Sequence, residues 1–265
     1  MRFCLCFALL LLWSAARAED TEVLPQRVFF GFTDSSGELV LIHSPGRMDL
    51  SADLSALLPT GEVIYLESLG YVEEGSTNNN RQTVYNFDNL PGYLFRLPDG
   101  KIAAGRTLLL AESGFLDERI LLSVTGHPPA PLEEDLVVRI EEIRDRTVAE
   151  SWILASIEGG ISIAMIRFEP GDSTSVASLV LVNGEDLVFE DYIGGPMDDC
   201  SVWRVDDGGV FDPASFRIIA ASKTLQGLEI ARTWMGAEGE SAALLEENGT
   251  VFQEVLTGYR YWAPL

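Results

Sequence analysis

From residue 152 onward the chain alternates apolar runs with short glycine-bearing breaks. In "WILASIEGGISIAMIRFE" the runs flank Gly159 and Gly160. In "LVLVNGEDLVFEDY" they flank Asn183 and Gly184, and in "SAALLEENGTVFQEVLTGYRYW" they flank Asn248 and Gly249. An Asn-Gly step between two apolar runs is the strongest short hairpin signal, because both residues tolerate the positive φ of a tight turn. "LEIARTWMGAEGESAALL" turns around Gly236 and Gly239. Four hairpins within about 110 residues predict consecutive antiparallel pairing. "LVVRIEEIRDRTVAE", residues 136 to 150, fits two patterns: Leu136, Ile140 and Ile143 a helical face, and Leu136, Val138 and Ile140 a strand.

The first half is less regular. "RVFFGFTDSSGELVLIH" predicts a hairpin around Ser35, Ser36 and Gly37, and "GEVIYLESLGYV", "YLFRLPDGKIAAG", "RTLLLAES" and "RILLSV" are further strand candidates. One helix is predicted in "DLSADLSALLP". Leu50, Leu54, Leu57 and Leu58 share a helical face, Asp49 or Ser51 caps it and Pro59 ends it. "EEGSTNNNRQ", residues 73 to 82, has no apolar side chain to bury and reads as an exposed loop. The pattern as a whole predicts a mainly β fold: antiparallel sheets as sandwich or barrel-like lobes, with one or two short helices. No repeat recurs at a fixed period, which argues against a solenoid or a propeller.

"GHPPAPLEED", residues 126 to 135, is the clearest boundary, since closely spaced prolines cannot occupy a central strand. The expected organisation is an N-terminal β-rich lobe over 19–126, a proline-rich linker over 127–135 and a C-terminal antiparallel lobe over 136–265. The two lobes can still share a sheet.

Residues 1–18 read as a secretory signal. Arg2 supplies the positive start, "FCLCFALLLLW" an apolar stretch too short to span a bilayer, and "ARA" the small residues at a cleavage site before Glu19. A periplasmic or secreted location follows. No later segment holds eighteen uninterrupted apolar residues, so no membrane span is expected. Cys4 and Cys6 would leave with the leader, and the remaining Cys200 has no partner for an intramolecular disulfide. Stability must then come from an apolar core, and export without disulfides fits a bacterial envelope better than animal secretion.

The formal net charge is −23, and loss of Arg2 and Arg17 would take it to −25. Such a field repels nucleic acid and anionic headgroups and favours cationic partners or solubility.

Chemistry-bearing residues concentrate in "DDCSVWRVDDGGVFD", residues 198 to 212. The flanking aspartates disfavour a Cys200 thiolate, and the two histidines, His43 and His127, are distant in sequence. G-x-S-x-G, a phosphate-binding loop and a metal-ligand cluster are all missing. No catalytic residue is therefore assigned. Asp206, Asp207, Gly208 and Gly209 suit a turn, and Asp212 before Pro213 suits the cap of one helical turn. As a ligand-binding set, Asp198, Asp199, Trp203, Arg204, Asp206, Asp207 and Asp212 offer a stacking ring, a guanidinium and carboxylates for a glycan. Asp206, Asp207 and Asp212 also offer oxygens to calcium, the one cofactor their chemistry suggests, although the spacing is not that of an EF-hand. In "GYRYWAPL", Tyr259 and Tyr261 share one strand face and Arg260 and Trp262 the other, which fits core packing better than a partner surface.

The expected role is that of an exported, acidic, soluble protein. It would be a non-catalytic binding or interaction module for a protein, a glycan or a small ligand. The alternative is a secreted carboxylate-dependent hydrolase of the glycoside hydrolase kind.

Overall fold

The computed structural model describes residues 27–98, 100–171, 174–195, 203 and 209–262. The first sheet has seven strands: β1 (Val28–Thr33), β2 (Leu39–His43), β3 (Leu54–Leu57), β4 (Val63–Tyr65), β5 (Glu67–Val72), β6 (Gly92–Arg96) and β7 (Thr107–Glu112). Its order is β4-β3-β7-β1-β2-β6-β5, all antiparallel. The predicted β1–β2 turn forms around Gly37, whose φ is +74°. Asp34 stitches that turn by accepting from Ser36 Oγ at 2.7 Å and from the backbone N–H groups of Glu38 and Leu39 at 3.0 and 3.1 Å.

A one-turn helix, α1 (Ser113–Leu116), leads to the second sheet: β8 (Ile120–Leu122), β9 (Val124–Ala130), β10 (Val148–Ile157), β11 (Ile161–Phe168), β12 (Ser175–Asn183), β13 (Asp186–Gly194), β14 (Phe216–Lys223), β15 (Leu228–Met235), β16 (Gly239–Asn248) and β17 (Val251–Tyr261). Helix α2 (Glu134–Arg144) lies between β9 and β10 in the chain. The sheet order is β8-β14-β15-β16-β17-β13-β12-β11-β10-β9. Its two end strands, β8 and β9, are consecutive in the chain and separated only by Ser123. A ten-stranded sheet whose edges meet at one residue has to curl almost into a barrel.

The mainly β, antiparallel expectation holds, and so do the hairpins turning at Gly159, Gly184 and Gly249, each with positive φ. Two segments differ. The helix predicted around residues 49–59 is strand β3, with all four residues buried between β4 and β7. A short strand covered on both faces reads as a continuous apolar run, whose leucine spacing also satisfies a helical period. The proline-rich stretch 127–135 spans the end of β9 and the start of α2. Pro128 and Pro129 are accommodated because β9 is an edge strand and its outer side has no ladder to complete.

Five apolar clusters follow among the described residues; two belong to the first sheet, around Val40, Phe95 and Leu110 and around Phe32 and Leu41. Ile163, Met165, Leu179, Leu181, Ile230 and Leu245 fill the inside of the curled sheet. Leu57, Leu109, Ala111, Ala220, Ala231 and Leu244 join the two sheets. α2 covers the outside of β11–β13 through Ile140, which is fully buried with Ala164, Ile166, Phe168 and Val180. The helix ends where Asp145 turns left-handed at φ +49° and its N–H bonds to Glu141 O.

Candidate functional site

β13 and β17 are the one parallel pair among the described strands, and their register has a single bridge, Phe189 to Val251, with Phe189 N–H donating to Thr250 O at 3.0 Å. Both strands continue past that bridge without pairing to each other. A cavity of about 600 Å³ opens where they separate. Strand alternation aims Val188, Glu190 and Tyr192 of β13 to one side. It does the same for Ile230, Arg232 and Trp234 of β15. Because the sheet is curled, these two rows face each other across the interior.

Charged groups meet there. Arg232 donates through Nε and Nη2 to the two carboxylate oxygens of Glu190, at 3.3 and 2.5 Å, and through Nη2 to Glu254 Oε1 at 3.1 Å. The Tyr192 hydroxyl donates to Glu190 Oε2. The Arg232 and Glu190 side chains are nearly inaccessible, whereas Glu254 on β17 is 48 % exposed. Burial opposes the charge on Arg232, but Tyr192, Glu190 and Glu254 outweigh it and hold the guanidinium above its ordinary range. Burial drives the Tyr192 phenol well above its usual value; Arg232 pulls it down, and Glu190 adds to the rise. Two carboxylates against one guanidinium leave this cluster with one excess negative charge. It offers hydrogen-bond acceptors at Glu254, the accessible end.

Aromatic rings back the cluster. Tyr192, Phe211, Phe216 and Trp234 pack with centroids 4.8 to 5.9 Å apart, Phe216 and Trp234 nearly parallel.

Of the residues singled out in 198–212, Trp203 and Asp212 are described, and Asp198, Asp199, Arg204, Asp206 and Asp207 lie outside the described residues, as does Cys200. Trp203 is half-buried and packs edge-on against Phe211 at 4.9 Å, as part of the same aromatic layer. Asp212 caps the one-turn 3-10 helix Pro213–Ser215, accepting from Ala214 N–H at 2.9 Å and Ser215 Oγ at 3.3 Å. Both of its oxygens are thus engaged locally. Among the described residues no three His, Cys, Asp or Glu side chains are grouped to hold a metal ion. His127 Nε2 lies 2.8 Å from Ser156 Oγ on the outer edge of the second sheet, but no carboxylate orients this pair among the described residues. In the C-terminal strand, Arg260 is buried while Tyr259 and Tyr261 are 55 % and 41 % exposed, so β17 is covered on one face there and open on the other.

Sequence reasoning passed over Glu190, Arg232 and Glu254. The available signal was a charge at an inward position of a two-residue repeat: Val188-Glu190-Tyr192 and Ile230-Arg232-Trp234, with opposite signs. No protein-family model matches the chain, and no curated protein or solved structure matches it.

Proposed function

We propose that the protein is an exported, non-catalytic binding module whose ligand seats between β13 and β17, against Glu190, Arg232 and Glu254. The observation that carries this reading is the sharing of one buried guanidinium by both carboxylates. Glycoside hydrolysis needs one carboxyl that gives a proton and a second that attacks or activates water. Here both carboxylates serve as acceptors for the same cation, an arrangement suited to holding a ligand and not to moving a proton. The excess negative charge selects against anions and favours ligands rich in donors. Sugar hydroxyls, met by Glu254 at the open end, are the first such class. Export rests on Arg2, the apolar run after it and "ARA" at 16 to 18.

Calorimetric titration of the purified protein against neutral oligosaccharides tests the reading. A saturable signal that weakens tenfold or more in Glu254→Gln, at unchanged melting temperature, is the expected result. Absence of binding across the series, or equal binding by Glu254→Gln, would overturn it. Two carboxylates in one cleft also give a hydrolase its minimum equipment. Turnover of a glycan that disappears in Glu190→Gln would replace binding with that activity.

A further inference from the structure

β17 holds one residue more than the stretch of β16 it pairs with. Leu245 stands opposite Glu254 and Leu244 opposite Leu256, so Val255 is bulged out of the ladder. A bulge reverses which side the following residues face. Before it, Glu254 points with Leu245 to the inside of the curled sheet. After it, Thr257, Tyr259 and Tyr261 point to that same side, opposite Ala243, Ser241 and Gly239. Leu256, Gly258 and Arg260 turn instead to the first sheet: Leu256 joins Leu109 and Leu244, Gly258 lies against Phe30, and Arg260 donates to Thr107 Oγ1. With strict alternation from Glu254 the two tyrosines would have met the first sheet.

The inner face of β17 therefore prolongs the cleft between β13 and β17. Trp234, on the cleft wall, stands opposite Ser241, and Ser241 stands opposite Tyr259. Across three strands the row reads large, small, large, with about 10 Å between the outer two backbones. Tyr259 leans over Gly239, where a Cβ would fall 2.6 Å from its Oη and 2.7 Å from its Cζ. Tyr259 and Tyr261 nonetheless keep 55 % and 41 % of their surface exposed. Thr257, exposed between them and Glu254, adds a hydroxyl. From Glu254 to Tyr261 the facing strand runs from Leu245 to Gly239, a length of about 20 Å. A carboxylate, a hydroxyl and two rings thus stand in one line, longer than a single sugar unit.

We propose that the ligand of the cleft is a linear, neutral, β-linked oligosaccharide that leaves the cleft along the inner face of β17. Glu254 accepts from hydroxyls at one end, and Tyr259 and Tyr261 stack on pyranose rings at the other. The inference rests on the glycan reading of the cleft and adds a direction and a minimum length to it. A pyranose ring has an apolar face that stacks on an aromatic side chain and a rim of hydroxyls that needs polar groups beside it. The line from Glu254 to Tyr261 offers both, in alternation with the small residues Ser241 and Gly239 opposite.

The test is a calorimetric titration with cello-oligosaccharides and with linear mannan oligosaccharides, each from the single sugar to the hexamer. In at least one series affinity is expected to rise with length, by about fivefold for each ring that gains a tyrosine, and then to level off. Tyr259→Ala should remove most of the gain between the dimer and the hexamer at unchanged melting temperature. Tyr259→Phe should keep it, because stacking needs the ring and not the hydroxyl. Binding that depends on Glu254 but is equal for all lengths, or equal in Tyr259→Ala, overturns the extension along β17 and leaves the cleft as the site. Absence of binding by every chain overturns both.

Discussion

Arg232 and Glu190 form a two-point ion pair across the inside of the second sheet, although β16 and β17 separate their strands in the sheet order. Only the curl of the sheet brings them together. Removing one partner strands a buried charge, so Arg232→Leu should cost about 3–5 kcal/mol of stability in urea unfolding. The double variant Arg232→Leu/Glu190→Leu should recover a large part of that loss. If the double variant is as unstable as the sum of its single variants, the pair is not coupled as the geometry requires.

The β1–β2 turn should respond to acid. Burial disfavours the Asp34 carboxylate, but hydrogen bonds from Ser36 and from the backbone N–H groups of Leu39 and Glu38 hold it below the usual aspartate range. A carboxylate depressed in the folded state stabilises it above the unfolded pKa, about 3.9, and loses that contribution as pH falls through the folded value. Asp34→Ala should therefore cost about 1–2 kcal/mol at pH 7. Its stability gap to wild type should shrink below pH 4, as read from denaturant midpoints across pH.

Two turn glycines separate backbone conformation from space. Gly37 has φ +74° and a Cβ there would fall 1.8 Å from Ile102 O, whereas Gly184 has φ +59° with nothing within 4 Å. Gly184→Ala should cost about 1 kcal/mol, the penalty of a left-handed L-residue alone. Gly37→Ala should cost at least twice as much, because backbone atoms of the 100–104 segment must also move. Equal costs in thermal unfolding would show that the close approach to Ile102 is easily relieved.

Ile140 is the one fully buried side chain of helix α2, with Leu136 and Val137 partly buried beside it. Ile140 is fully buried against β11 and β12, while Ile143, one turn on, is 56 % exposed. Ile140→Ala should cost about 2–5 kcal/mol and Ile143→Ala less than about 0.5. Amide exchange along 134–144 should accelerate in the first variant alone.

Local chemistry was legible in the residues themselves. The breaks at Gly37, Gly159, Gly184 and Gly249, and the Asp212 cap, depend on a few neighbouring dihedrals and hydrogen bonds. A sequence states those directly. Long-range pairing was not legible. Leu54–Leu57 has leucine spacing that suits a helix, yet becomes a strand because β4 and β7 cover both of its edges. The carboxylate and guanidinium side chains of the cleft come from residues 190, 232 and 254, which read separately as charges on three strands. Their meeting needs β8 and β9 joined at Ser123 to curl the sheet and β13 to leave β17 after one bridge. The sequence alone determined where most hairpins turn and that the fold is mainly β, because turn and alternation preferences are local. Closure of the sheet decided which inward charges find a partner, because that depends on residues far apart in the chain being brought to one side of a curled sheet.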